Sequence, residues 1–410
     1  MKYGIVLFFL MSVFACKTES SEFDNFSIKD DVAYLADDQL EGRQTGTQGE
    51  KVAAEYIANR FEALGLQPKG TDGYYQTFSF KPKTDPHQEV IYQVKDGDST
   101  ITGINVLGFL DNGAENTVII GAHYDHLGYG AEGSLYREKD KAIHNGADDN
   151  ASGVAVMLDL ANKLRDKNNR NNYLFMAFSG EEMGLLGSNY FTKNPSIDLT
   201  KANYMLNMDM VGRLKNDGTL AVYGLGTSPI LKQTVKANNE KFTIIENESG
   251  VGPSDHTSFY NSDIPVLHFF TGQHQDYHKP SDDVERLNFE GMATISDYIF
   301  DIISDLDDNG KLPFRKTKNE SEETPRFKVG LGVIPDYLFD GKGMRIDGIS
   351  EDKPAQKAGL QKGDVVVKLG DSLVTDMMSY MKALSSFNEG DSTTVVVKRD
   401  NKEIKTDIKF

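Results

Sequence analysis

The stretch TVIIGAHYDH, residues 117–126, decides the fold because a short apolar segment passes directly into residue types that carry chemistry. Residues 117–122 are apolar and β-branched, which is typical of a strand buried on both faces. His123, Asp125 and His126 then follow. The sequence therefore predicts a buried strand whose carboxyl end opens onto a functional edge of a sheet.

The chain beyond this strand alternates between apolar strands and amphipathic helices. Residues 173–178, 204–210 and 264–270 have the pattern of buried strands, and the apolar side chains of residues 154–164 fall on one face of a helix. A further helix at 289–306 closes the series. Segments of this kind and length predict an α/β fold, with a mostly parallel sheet and helices on both faces.

The composition is that of an ordinary soluble protein, with 39% hydrophobic and 26% charged residues. The formal net charge is -18. A surface this acidic repels phosphate backbones, so we expect no nucleic-acid partner. The 410 residues are enough for one large domain and one small module.

An apolar run at residues 3–15 precedes Cys16, the only cysteine of the sequence. The run is shorter than the roughly 20 residues of a spanning helix, so it fits a secretory signal peptide. Residues 13–16 resemble a bacterial lipoprotein cleavage box, in which the cysteine is acylated. The alternative is a simple signal peptide that is cut near Ala15. We expect an exported bacterial protein with a lipid anchor at Cys16 as its sole membrane contact, in the periplasm or at the outer membrane or cell surface.

Residue types that bind metals follow strand after strand, at the edge where the carboxyl ends of parallel strands meet. They are His123, Asp148-Asp149 in NGADDNASG at 145–153, Glu181-Glu182 in SGEE at 179–182, Asp209 in NMDM at 207–210, and His278 in DYHKP at 276–280. Each motif alone has an ordinary explanation, such as a solvated acidic pair or a helix cap. Together they form a nitrogen-and-oxygen ligand set that suits zinc and related ions.

These motifs, in this order, resemble the bacterial leucyl-aminopeptidase family of co-catalytic zinc peptidases. The resemblance covers H-x-D, NGADDNASG, SGEE-x-GL-x-GS, N-x-DMVG and YHKPSD, and it extends over roughly residues 30–305. Glutamate carboxypeptidase and glutaminyl cyclase belong to the same superfamily. The resemblance implies a zinc exopeptidase fold, two zinc ions per chain and peptide substrates.

The resemblance also implies a role for each ligand. Asp148 is expected to bridge both ions. His123 and Asp209 are expected to complete the shell of one ion, and Glu182 and His278 that of the other.

Two further residues are expected to serve catalysis without binding metal. The resemblance implies that Glu181 is the general base, and that a cis peptide bond joins Asp148 to Asp149. Asp125 lies two residues after His123, so both side chains point the same way if the strand continues. Asp125 would then accept the second imidazole N–H of His123 and fix its tautomer.

Other polar residues near these motifs are weaker candidates. His126 and His144 are expected to hydrogen-bond within the site loop or to line the pocket, rather than to bind metal. His274 is expected to shape the loop before His278. Arg213 fits either a substrate carboxylate or a structural ion pair, and the sequence leaves both readings open.

The C-terminal segment resembles a bacterial PDZ domain, a small α+β fold. The resemblance rests on GLGV at 330–333, a strand at 344–349 and the motif PAQKAGLQKGDVV at 354–366. It implies a carboxylate-binding loop at GLGV and a groove beside a helix at 377–387, which would hold a peptide C-terminus as an added strand. A packing module without a ligand is the open alternative, because glycines also serve turns.

These segments predict five regions: a signal peptide at 1–15, a tether at 16–26, a zinc peptidase domain at 27–309, a linker at 310–325 and a PDZ domain at 326–410. The predicted function is a zinc-dependent aminopeptidase that hydrolyses N-terminal residues of peptides. A carboxypeptidase or dipeptidase of the same superfamily, or a non-catalytic peptide-binding lipoprotein, is the alternative. Glu181 argues against the last, because a scaffold does not need a base beside metal ligands.

Overall fold

The computed structural model describes residues 27–82, 91–317 and 328–410, apart from positions 93, 96, 131–132, 137, 139, 168–169, 337–338, 340, 351 and 401. The predicted signal peptide, Cys16 and the tether lie outside the described residues, as does the predicted linker beyond Thr317. Within the described part of the chain, no helix is both long enough and apolar enough to cross a bilayer.

Residues 27–317 contain one large sheet and the helices that cover it. The helices are α1 (Ile28–Leu35), α2 (Gln48–Ala63), α3 (Gly153–Leu164), α4 (Leu186–Lys193), α5 (Leu231–Ala237), α6 (His256–Tyr260) and α7 (Phe289–Leu306). The strands are β1 (Gln67–Pro68), β2 (Tyr75–Phe80), β3 (Ile101–Leu110), β4 (Thr117–His123), β5 (Asn172–Phe178), β6 (Ala202–Met208), β7 (Thr219–Tyr223), β8 (Thr243–Glu246) and β9 (Val266–Phe270).

The strand order is β1-β3-β5-β4-β6-β9-β7-β8, and β2 pairs with β3. The four central strands β5, β4, β6 and β9 are parallel to one another, whereas β3 joins β5 and β7 joins β9 in antiparallel fashion. Parallel neighbours require crossover connections, which helices such as α3 provide. The predicted α/β fold with a mostly parallel sheet is thus confirmed, and the parallel part is its centre.

Helices cover both faces of the sheet, and β4 shows why. Its side chains alternate between the faces, so Val118 and Ile120 join the core beneath α3 and α7, while Ile119 joins the core on the other face. That second core includes Phe191 of α4 and Phe259 of α6. Burial on both sides explains why this strand is a continuous apolar run in the sequence.

The large domain extends beyond its predicted end at residue 309. The backbone N–H of Leu312 donates to Asn203 Oδ1 at 2.7 Å, and that of Arg315 donates to the carbonyl of Thr227 at 2.8 Å. Leu312 is 3% exposed. The prediction of a linker is therefore wrong for residues 310–317, which pack against the large domain.

The C-terminal residues form a second, smaller sheet with its own core. Its strands are β10 (Val333–Pro335), β11 (Met344–Ile349), β12 (Val365–Leu369), β13 (Ser372–Leu373), β14 (Ser392–Arg399) and β15 (Lys402–Lys409), and its helices are α8 (Pro354–Lys357) and α9 (Met377–Leu384). The strands are antiparallel, in the order β10-β11-β12-β14-β15, with β13 paired to β12. The predicted strand at 344–349 is present, whereas the predicted helix ends at Leu384 rather than at residue 387.

Candidate metal centre

Neighbouring parallel strands end at the edge of the sheet where the predicted ligands gather. The side chains that meet there are His123 at the end of β4, Asp149 from the loop before α3, Glu182 after β5, Asp209 after β6 and His278 after β9. Because β5, β4, β6 and β9 are adjacent and parallel, residues that are far apart in sequence come together.

Asp149 lies in the middle of this cluster. Its Oδ1 is 3.3 Å from His123 Nε2, which is also 3.3 Å from Asp209 Oδ1. Its Oδ2 is 3.2 Å from His278 Nε2, which is also 3.2 Å from Glu182 Oε2. We call His123, Asp149 and Asp209 the first half-site, and His278, Asp149 and Glu182 the second half-site. The two oxygens of one carboxylate thus face different half-sites.

The structure corrects the prediction that Asp148 is the bridging residue. Asp148 Oδ1 accepts hydrogen bonds from the backbone N–H of Gly212 at 2.6 Å and from the Ser152 hydroxyl at 3.1 Å. Its Oδ2 is 3.1 Å from His274 Nε2. Both oxygens of Asp148 are therefore engaged outside the half-sites, because consecutive side chains of this irregular loop point in different directions.

The cis peptide bond is also one position further along than predicted. It joins Asp149 to Asn150, whereas the sequence resemblance suggested a bond between Asp148 and Asp149.

The loop that carries Asp149 is held from two sides. Asp282 Oδ2 accepts the backbone N–H groups of both Asp148 and Asp149 at 3.0 Å. The Asn150 side chain donates to the carbonyl of Met208 at 3.0 Å, which ties the loop to the end of β6. Hydrogen bonds of this kind fix the orientation of a ligand before any metal arrives.

Arg43 joins the loop after β4 to the loop before α3. Its fully buried guanidinium donates to the carbonyls of Tyr124 and Asn145 at 2.7 Å, to that of Gly146 at 3.1 Å and to that of Leu35. Burial lowers the pKa of this guanidinium to about 10. A planar side chain with five donors can satisfy several carbonyls at once, which explains an arginine at this position.

Asp125 holds Glu181 rather than the ring of His123. Asp125 Oδ1 accepts the backbone N–H of Glu181 at 3.1 Å, and Oδ2 accepts the Thr45 hydroxyl at 3.0 Å. The closest acceptor to His123 Nδ1 is the backbone carbonyl of Asp125 at 3.2 Å, and Asp125 Oδ1 is 3.7 Å away. The predicted carboxylate–imidazole hydrogen bond is therefore replaced by one to the carbonyl, because β4 ends at His123 and the regular alternation of side chains does not continue to Asp125.

His126 belongs to the cluster, although the sequence predicted a hydrogen-bonding or pocket-lining residue rather than a metal ligand. Its Nδ1 is 2.7 Å from Glu182 Oε1 and 4.0 Å from Asp149 Oδ2. The residue is 1% exposed. The signal in the sequence was its place three residues after His123 in a buried segment, but that spacing does not tell which way the ring points.

The donor set fits zinc. A tetrahedral ion with ligands at about 2.0–2.1 Å places neighbouring ligand atoms about 3.3 Å apart. In each half-site the imidazole nitrogen is 3.2–3.3 Å from both carboxylate oxygens. Buried carboxylates are costly unless cations neutralise them, and the mixed imidazole and carboxylate donors match the preferences of this ion.

A cleft opens beside the half-sites, and its walls combine apolar and acidic side chains. The lining residues are Asp149, Glu181, Glu182, Asp209, Met210, Tyr223, Pro253, His268, Phe270, Gln273, Tyr277 and His278. Burial raises the pKa of the Glu181 carboxyl well above its usual range, and the nearby carboxylate of Asp209 adds to the effect. Burial acts in the same direction on Glu182, but the imidazoles of His278 and His126 outweigh it and lower its pKa to about 2. Two adjacent glutamates thus differ in proton affinity.

Arg213 and His144, two further candidates from the sequence, make contacts that indicate structural roles. Arg213 forms an ion pair with Asp276 at 3.0 Å, which favours the structural reading of this arginine. His144 Nε2 is 2.7 Å from the Ser134 hydroxyl, and its Nδ1 is 3.1 Å from the carbonyl of Ala142. Both contacts lie within the site loop, as the sequence predicted for His144.

Sequence relatives of this chain are named as aminopeptidases. A protein of Trichophyton verrucosum with the name "Probable leucine aminopeptidase" is 31% identical over 220 residues, which cover 49% of this chain and 55% of that relative. Aminopeptidase YwaD of Bacillus subtilis is 30% identical over 193 residues, 44% of this chain and 39% of the relative. The chain thus spans about half the length of the curated relatives that it matches.

Solved structures share the fold at low sequence identity. A zinc aminopeptidase from Bacillus subtilis superimposes with a TM-score of 0.52 at 18% identity, over 72% of this chain and 97% of that one.

Two family models match this chain. Residues 105–303 match the family described as Peptidase family M28, and residues 314–410 match the PDZ domain. The PDZ match begins inside the segment that packs on the large domain. The chain therefore carries a peptidase domain of family M28 followed by a C-terminal PDZ domain.

Proposed function

We propose that this chain is a metallo-aminopeptidase that removes N-terminal residues from peptides. One observation carries the proposal: the carboxylate of Glu181 lines a cleft beside two half-sites that share Asp149. The names of the sequence relatives support the same activity. A binding protein would have no use for a buried glutamate of raised pKa next to complete ligand sets.

We propose that two zinc ions bind per chain. His123 and Asp209 would hold one, His278 and Glu182 would hold the other, and Asp149 would be shared between them. Zinc bound there would supply Lewis acidity, which lowers the pKa of water and polarises a peptide carbonyl.

Glu181 acts as the general base. Its carboxylate takes a proton from the attacking water and then delivers it to the leaving amine. Burial raises the pKa of the Glu181 carboxyl, which makes its carboxylate a stronger base toward the proton of the water. Asp125 keeps Glu181 in place through the hydrogen bond from the Glu181 backbone.

The cleft offers no cationic side chain to a C-terminal carboxylate. No lysine or arginine is among the lining residues that the structure describes. Zinc would neutralise the carboxylates of Asp149, Glu182 and Asp209, so their charge does not select between the two ends of a peptide. The missing cation for a C-terminal carboxylate argues against the carboxypeptidase alternative.

A panel of paired peptides tests the function. Each peptide would be offered with a free and with an acetylated N-terminus, and metal would be measured on the same sample. We expect release of the first residue from free peptides and none from blocked ones, with two ions per active chain. Release from the C-terminus would support the carboxypeptidase instead, and no hydrolysis by the metal-loaded chain would support a binding role.

We also propose that the PDZ domain receives a peptide C-terminus. Strand β10 is at the end of its sheet and pairs with β11 alone among the described strands, so one edge is free to accept an added strand. Gly332, just before β10, has a φ of +73°, and an added Cβ would lie 2.1 Å from the Lys353 side chain. Such a conformation is suited to a loop that presents backbone N–H groups.

We propose, finally, that Cys16 is acylated and anchors the protein to a bacterial membrane. The support is the apolar run that ends at this cysteine. Metabolic labelling with a fatty acid should mark the wild type and not Cys16→Ser, which should leave the membrane fraction. An unlabelled wild type whose N-terminus is another residue would contradict the assignment.

A further inference from the structure

We propose that His126 is a positioning residue for the second half-site, in that its Nδ1–H holds Glu182 Oε1 and thereby leaves Oε2 to bind the ion. The inference deepens the proposed function and rests on metal binding at this site. It gives a role to a histidine that lies outside the five ligands.

The distances separate two kinds of contact around Glu182. Its Oε2 is 3.2 Å from His278 Nε2, a spacing that suits two ligands of one tetrahedral ion. Its Oε1 is 2.7 Å from His126 Nδ1, which is the length of a charge-assisted hydrogen bond. The two oxygens of Glu182 therefore serve different partners.

The direction of the hydrogen bond follows from the chemistry of the carboxylate. A metal-binding carboxylate is ionised and can only accept hydrogen bonds. His126 Nδ1 must therefore carry the proton. A ring nitrogen that carries a proton has no lone pair for an ion. His126, Asp149 and Glu182 do place one ligand atom each within 4.8 Å of one another, but Nδ1 is 4.0 Å from Asp149 Oδ2, further than the about 3.3 Å between neighbouring ligands of a tetrahedral ion. Both facts argue against His126 as a direct ligand.

The ring of His126 is held firmly enough to act as a support. It is buried, and an added Cβ on Gly146 would lie 2.6 Å from two of its ring atoms. The backbone N–H of His126 donates to the carbonyl of Arg43 at 3.3 Å. Nε2 has no hydrogen-bond partner among the described residues, so Glu182 is the side chain through which this imidazole acts.

The hydrogen bond from His126 gives the adjacent residues Glu181 and Glu182 different freedom to move. Without His126, both oxygens of Glu182 would be free to approach an ion, and the side chain could rotate. With it, Glu182 is restricted to one oxygen and one orientation, while Glu181 next to it stays available as a base. Groups that orient metal ligands in this way typically change metal affinity by 10–100-fold.

A matched pair of variants tests the proposal in the full-length, zinc-loaded protein. His126→Asn places an amide N–H near the position of Nδ1, whereas His126→Gln places it near Nε2. Zinc affinity would be measured by competition with a chromophoric chelator, and folding by circular dichroism. We expect His126→Gln to weaken binding of one of two ions by about 10–100-fold, and His126→Asn to stay within a few fold of the wild type.

A double variant shows whether the effect passes through Glu182. In a Glu182→Gln background, His126→Gln should cause no further loss of affinity, because its acceptor has already changed. Equal affinity of the two folded His126 variants, or additive losses in the double variant, would overturn the proposal. The readout is separate from hydrolysis: a chain with the expected affinities but no aminopeptidase activity would refute the proposed function and leave the role of His126 standing.

Discussion

Asp148 and Asp149 are neighbours of identical chemistry, and only the direction of the side chain separates the proposed ligand from a supporting residue. Asp149 offers one oxygen to each half-site. The carboxylate oxygens of Asp148 form hydrogen bonds with Gly212, Ser152 and His274. The shared ligand should therefore be much less replaceable than its neighbour.

Replacement of each aspartate by asparagine tests this difference. Asp149→Asn leaves one carboxamide oxygen for two half-sites, so we expect loss of both ions during dialysis against a weak chelator. Asp148→Asn keeps an acceptor oxygen for Gly212, so we expect two ions with affinity reduced by about 10–100-fold at most. Metal analysis and chelator competition measure both. Retention of two ions by Asp149→Asn would restore Asp148 as the candidate bridge.

Glu181→Gln should separate catalysis from metal binding. The amide has the shape of the acid but cannot accept the proton, so we expect turnover to fall by about 10²–10⁴-fold. Zinc content should be unchanged, because the half-sites do not include Glu181. Steady-state kinetics on a chromogenic N-terminal substrate, with metal analysis of the same sample, measures both quantities. Near-normal turnover would remove Glu181 from the role of base.

The sequence predicted part of this residue-level picture, for a physical reason. His123, Asp209 and Glu182 lie at the end of a strand or within four residues after one, and parallel strands bring their carboxyl ends to one edge, so the pattern of strands is enough to bring them together. Asp149 and His126 lie in irregular loops. There the direction of a side chain depends on hydrogen bonds to distant residues such as Asp282, which no periodicity reveals.

At the level of elements, the site depends on how two loops are joined. His123 at the end of β4 and Asp149 in the loop before α3 are adjacent parts of the first half-site, and Arg43 donates to carbonyls of the loop after β4 and of the loop before α3. The guanidinium also reaches the end of α1 through the carbonyl of Leu35. The segment before α2 therefore contributes to the metal centre without supplying a ligand.

Arg43→Lys should loosen this connection. A lysine has one ammonium group, which cannot reach carbonyls on three segments at once. We expect a loss of stability on the order of 3 kcal/mol, since hydrogen bonds from a charged donor are lost in a buried place. Zinc affinity should fall as well. Urea denaturation and chelator competition measure the two effects, and Arg286→Lys, at an exposed arginine, is the matched control.

Unchanged stability of Arg43→Lys would mean that water or the lysine replaces these hydrogen bonds. Reduced stability with normal zinc affinity would mean that Arg43 supports the fold but not the geometry of the half-sites.

At the level of the whole molecule, the sequence predicted two domains but misplaced the end of the first. Residues 310–317 contain one proline and three cationic side chains, with no apolar period, and such a composition is typical of a linker. Single apolar residues are still buried in this segment: Leu312 is 3% exposed, and the Phe314 ring packs against Tyr260 with ring centroids 5.4 Å apart. A hydrophobic period can be recognised only over several turns of a helix or several residues of a strand. It cannot reveal a short segment that is held in place by two apolar side chains.

Two shortened chains test where the peptidase domain ends and whether it acts alone. Every residue of the half-sites lies before position 280, so a chain that ends at Thr317 should fold, bind zinc and cleave a short chromogenic substrate at close to the full-length rate. A chain that ends at Asn309 loses the burial of Leu312 and its hydrogen bond to Asn203. We expect it to be less stable by about 3 kcal/mol.

Thermal unfolding of the zinc-loaded chains and hydrolysis of one short and one long peptide separate the effects. If the PDZ domain recruits peptides by their C-termini, the chain ending at Thr317 should lose activity only on long peptides, because a short substrate cannot reach both domains. A large loss on the short substrate, with the chain folded and zinc-loaded, would mean that the PDZ domain shapes the cleft itself. Equal stability of the two shortened chains would return the domain boundary to Asn309, since the packing of residues 310–317 would then contribute nothing measurable.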